Sequence, residues 1–89
     1  MNTNIRGGWT PYRTEISSDE IMIFNEVMDR LKGTKYTPLS VATQFVEGTN
    51  YRFFCNAKGD YANALNEASI VEMYLPINGK ALVTFIKSV

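Results

Sequence analysis

Gln44-Phe45-Val46-Glu47-Gly48 lies between two runs of alternating apolar residues. The chemistry it can do is therefore contact: an apolar wedge on the tip of a β-hairpin, with glycine supplying the turn. Two further tips accompany it. Gly7-Gly8 precedes the one clear helical pattern, and Leu75-Pro76-Ile77-Asn78-Gly79-Lys80 makes a turn between the last two strand-like runs. Three exposed tips would then line one edge of one small domain. Bond-making chemistry has far less to draw on. Histidine is absent and Cys55 is the only cysteine, which excludes Cys-His and Ser-His catalysis, CxxC redox chemistry and any His- or Cys-rich zinc site. Asp19-Glu20 reads as helix capping, and Glu47, Glu67 and Glu72 fall on different elements without an evident meeting point for a pair of acids. No enzyme, cofactor or metal is expected.

The elements that must hold these tips are legible from periodicity. Ser17-Ser18-Asp19-Glu20 is a helix start, in which Ser17 can cap and Glu20 can reach back to it. Ile21, Phe24, Val27, Met28 and Leu31 then follow the three-and-four spacing of one buried stripe, with Glu20, Asn25, Glu26, Asp29 and Arg30 on the wet face. Lys32 and Gly33 are expected to stop the helix. From Leu39 the period becomes two, placing Leu39, Val41, Thr43 and Phe45 on one face. A second strand is expected over 49–58, joined to the first through Glu47-Gly48. The polar stretch 58–66 is a short helical or irregular crossover, and strands return over 70–75 and 81–89. Trp9-Thr10-Pro11-Tyr12 can form a short edge strand, since proline is tolerated where no ladder donor is needed. The expected fold class is α+β, with one amphipathic helix packed across a four- to five-stranded antiparallel sheet.

The chain of 89 residues is expected to be a single domain over 1–89, with a flexible N-terminal arm over 1–6. Nine basic and nine acidic residues cancel, and no dense Lys/Arg block points to nucleic acid or to a membrane. A neutral protein or small-molecule partner is expected instead. A lone cysteine allows no internal disulfide, and the first residues contain no apolar stretch resembling a signal peptide. A cytoplasmic location is the expectation, with a secreted one open if a leader has been removed. Cys55 shares its strand face with Tyr51 and Phe53 and is expected to be a packed structural residue, as Trp9 is expected to pack at the sheet edge.

Gly7-Gly8, one helix, Gln44-x-Val46-x-Gly48 opening into Thr49-Asn50-Tyr51, and Leu75-Pro76 in a final hairpin occur in the order found in the cystatin superfamily. The chain resembles most closely its disulfide-free stefin branch. The resemblance implies a cystatin-like fold. It also implies reversible, competitive, non-covalent inhibition of papain-like, cathepsin-type cysteine proteases, with the arm and two hairpin tips filling the active-site cleft. Carried over by position, it makes Gly7, Gly8, Gln44, Phe45, Val46, Glu47, Gly48, Pro76, Ile77 and Asn78 the protease-binding residues. Val46 would contact the enzyme, Gln44 would brace the loop, and Gly48 would permit the tight turn. Glu47 stands where the family usually has alanine, which favours a basic cleft. Gly33-Thr34-Lys35-Tyr36 lacks the Ser-Asn-Asp pattern linked with legumain inhibition in some members, so that activity is not implied. A monomer is expected, with a domain-swapped dimer open to it, since a strained turn over Gln44 to Gly48 could open to exchange a helix and strand between two chains. The alternative function is a non-inhibitory cystatin-fold interaction module.

Overall fold

A serine followed three residues later by a glutamate sets the start of the helix. In the structure, a computed structural model describing residues 7–89, helix α1 runs Ser18–Met28 with Ser17 as N-cap. The Ser17 hydroxyl accepts from the Glu20 amide at 3.1 Å, and the Ser17 amide donates to Glu20 Oε1 at 2.9 Å. Two amide donors at the helix start, which have no partner within the helix, are thus satisfied reciprocally. The expected arm over 1–6 lies outside the described residues.

Four strands follow: β1 Thr34–Val46, β2 Gly48–Gly59, β3 Asn66–Leu75 and β4 Leu82–Ser88. They form one antiparallel sheet in the order β1-β2-β3-β4. The chain before the helix runs antiparallel along the outer edge of β1, bridging Trp9 to Gln44 and Arg13 to Val41. It lies at the expected edge but is held by isolated bridges and is not the short strand expected over 9–12. The α+β architecture, one helix packed against a four-stranded antiparallel sheet, is therefore present.

The register puts Val41, Phe53 and Val71 side by side across β1, β2 and β3, and all three are fully buried beneath the helix. Phe24 from α1 meets Phe53 edge to face, with ring centroids 4.8 Å apart, in an arrangement favoured by the ring quadrupoles. Met28, Cys55 and Met73 complete this centre. Burial pushes the Cys55 thiol up to about 12, so at neutral pH it stays protonated and inert, as its packed role requires.

Several expectations are corrected. The helix ends at Met28 with Asp29 as C-cap and has no basic residue in its last turn. Leu31 therefore falls outside the helix and is exposed. Glu20, expected on the wet face, is only 7% exposed, because Arg13 grips its carboxylate through both terminal nitrogens. β1 begins at Thr34, and a bulge between Pro38 and Ser40 breaks its alternation. Leu39 is the extra residue and faces out, off the Val41 face, since a bulge resets the side-chain parity of everything beyond it. β3 starts at Asn66, four residues before the expected strand, and 60–65 takes the irregular one of the two forms expected for the crossover.

Candidate functional site

Val46 of β1 pairs with Gly48 of β2, leaving Glu47 at the apex of the first hairpin. Gly48 adopts φ +98°, a left-handed conformation that costs glycine nothing. A Cβ there would run into the Leu75 carbonyl oxygen and lie 2.9 Å from the Tyr74 hydroxyl. Glycine thus serves both the turn and the close approach of the two hairpins. At the root of the second hairpin Leu75 pairs with Thr49, and 76–81 carries the turn into β4. A Cβ on Gly79 would crowd the Pro76 ring at 2.9 Å.

The glycine pair joins the same end of the molecule. The Gly7 amide donates to the Phe45 carbonyl at 2.9 Å, and the Gln44 side-chain amide donates to the Gly7 carbonyl at 2.8 Å. Asn50 in turn donates to Gln44 Oε1 at 2.9 Å. Gln44, Asn50 and Tyr74 are register partners on three adjacent strands, so they form one row across the sheet face away from the helix. From the far end of that row the Tyr74 hydroxyl donates to the Glu47 carbonyl. One polar row therefore ties the N-terminal segment, the first tip and the root of the second hairpin together.

A second row lies one step further from the tips. Arg52 donates to Glu72 at 2.6 Å, and its guanidinium sits 3.9 Å from the centroid of the Trp9 ring, a cation–π contact. Trp9 is thus packing at the sheet edge, and it anchors the segment that carries Gly7 and Gly8. Burial is the main cause that raises the Tyr12 hydroxyl above its ordinary value, with Arg52 opposing and Glu72 adding to it.

All ten residues expected at the site sit at this end. Gly7, Phe45, Glu47, Ile77 and Asn78 are exposed, while Gly8, Gln44, Val46, Gly48 and Pro76 are half-buried. Ile77 is 72% exposed, and with Phe45 it puts two large apolar side chains at the rim. Asn50, Tyr74 and Arg52 are the supporting residues that the reading of the sequence left without a role. The turn at Glu47-Gly48 already sets Asn50 opposite Gln44, so Asn50 was within reach. Tyr74 was not, because its alignment depends on the irregular connection over 60–65.

A concavity lies at the opposite end of the sheet. An open cleft of about 790 Å³ is bounded by Phe24, Met28, Tyr36, Gly59 and Tyr61. It exists because an 11-residue helix, about 16 Å long, cannot cover 12- and 13-residue strands of about 40 Å. Among the described residues, no group of three or more His, Cys, Asp or Glu could hold a metal ion, and no helix is long and apolar enough to cross a membrane. Compared with protein families, with curated proteins and with solved structures, the chain matches none.

Proposed function

We propose that the protein is a reversible, competitive inhibitor of papain-like cysteine proteases with a stefin-like, cystatin-type fold. Its wedge comprises the Gly7-Gly8 segment and the two hairpin tips, and it fills the active-site cleft without covalent chemistry. The observation that carries this reading is the bracing of Gly7, the Glu47 apex and the Leu75 root by the single Gln44-Asn50-Tyr74 row. A surface already held by its own fold has little conformational freedom left to lose on binding, so contact energy is not spent on ordering it. The rim offers Phe45, Val46 and Ile77 as apolar contacts, and standard protease–inhibitor interfaces cover about 800 Å² per partner. With no histidine and an inert, buried Cys55, occlusion is the mechanism that needs nothing further from the chain.

The test is a titration of papain and a cathepsin-type protease with wild-type protein beside Val46→Asp. A carboxylate forced into an apolar contact should weaken inhibition by about 3 kcal/mol, roughly a hundredfold, while competitive kinetics are retained. Absence of inhibition by folded wild type at micromolar concentration would contradict the reading and favour a non-inhibitory interaction module.

A further inference from the structure

The two edges of the sheet are finished differently. Along the outer edge of β1, the half nearest the tips is covered by the chain before the helix, through Gly7 to Phe45, Thr10 to Thr43 and Arg13 with Val41. The uncovered half carries Lys35, Pro38 and the bulge at Leu39. A cation, a residue without an amide donor and a bulge are the devices that keep a free strand edge from pairing.

β4 has little of this. Among the described residues it pairs with β3 alone. Its seven residues, Leu82 to Ser88, contain no proline and a single charge, Lys87. Apolar side chains stand exposed on both faces: Leu82 at 52% and Phe85 at 44% on the side away from the helix, and Ile86 at 39% on the helix side. Ile86 pairs with the fully buried Val71, yet the short helix leaves it partly uncovered. One bulge between the Glu72 and Met73 pairings is the only irregularity.

We propose that β4 is a strand-addition surface whose occupant is a second copy of this chain, paired antiparallel about a two-fold axis. Two observations select that occupant. The formal net charge is zero, so two copies approach without long-range repulsion. Among the described strands, β4 alone forms a sheet edge with no other segment running along it and no proline in it, so the available mate in a solution of this protein is another β4. A patch that mates only with itself closes as a two-fold pair and does not propagate into a fibre. A seven-residue edge buries less than the 1,200 Å² or so below which interfaces are transient, so the pair forms and dissociates rapidly. The tips lie at the end of the sheet and remain open in such a pair.

Sedimentation velocity from micromolar to millimolar concentration tests this. The expected result is a mass rising toward twice that of the chain and falling again promptly on dilution, without heating. Phe85→Lys should weaken the pairing by at least about tenfold. Leu82→Lys serves the same purpose if Phe85→Lys does not fold, and Leu39→Lys, an exposed change on β1 at the opposite edge of the sheet, should leave the pairing unaltered. A monomer throughout would overturn the proposal. So would a dimer insensitive to both β4 changes, or one that forms only after heating and survives dilution, which marks an exchange of segments and not the addition of a strand.

Discussion

The two ends of this sheet are built to different standards. At the hairpin-tip end, Gln44, Asn50 and Tyr74 link the N-terminal segment and both hairpins by side-chain hydrogen bonds, and Gly48 allows the hairpins to touch. At the other end the helix stops short, and Tyr36 and Tyr61 line an open cleft. Tyr61 is exposed although its ring lies over the Gly59 backbone. Side-chain hydrogen bonding between elements is concentrated at the tip end, and a short helix suffices for the core without covering the remainder of the strands.

Substitutions should therefore cost most at the braced end. Gly48→Ala forces an ordinary side chain into a left-handed backbone and against the Leu75 carbonyl, and should lower unfolding stability by about 2–3 kcal/mol, measured by urea denaturation. Should it be neutral, the two hairpins are not in close contact at that point.

Glu20 sits between the ends and ties the entering chain to the helix. Burial, the strongest single influence, pushes its carboxyl up, but the hydrogen bonds from Arg13 and Ser17 and the positive charge of Arg13 together outweigh it and hold the pKa below its ordinary value. The stability this contributes is complete above the ordinary carboxyl pKa and is lost as pH falls through the lowered native value. Glu20→Gln should lose about 1–2 kcal/mol at pH 7. Thermal melts should show the gap to wild type closing below about pH 4. A gap constant down to acid pH would mean that the carboxylate charge is not what holds Arg13.

Smaller effects sharpen the contrast. Tyr74→Phe removes only the hydroxyl that donates to the Glu47 carbonyl and should cost about 1 kcal/mol, with faster amide exchange at 46–48. Tyr61→Ala at the open end should change stability by no more than about 0.5 kcal/mol. If Tyr61→Ala proved the costlier of the two, the order of the ends would be reversed.

How much of this was legible in the sequence follows from where local chemistry decides. The capping box at Ser17 and Glu20, the stripe of Phe24, Val27 and Met28, and the hairpin at Glu47-Gly48 are set by neighbours a few residues apart, and each appears where expected. Leu31, Leu39 and Glu20 misled because each depends on something distant. The helix was free to stop early once Met28 had filled the core, a bulge shifted β1 by one residue, and Arg13 came back across the fold to claim a glutamate that local spacing assigns to solvent. The site shows the same division. Its ten tip residues were visible as motifs, whereas the row that braces them needs the register of three strands.

The most direct test of the proposed role is an amide-exchange footprint of the protein with and without papain whose active-site cysteine is unmodified. Slowed exchange confined to the Gly7-Gly8 segment, 44–48 and 75–79, with the residues around Tyr36 and Tyr61 unchanged, is the result expected of a tripartite wedge. Protection centred on the open cleft or on β4, or a complex that leaves the tips unprotected, would contradict it.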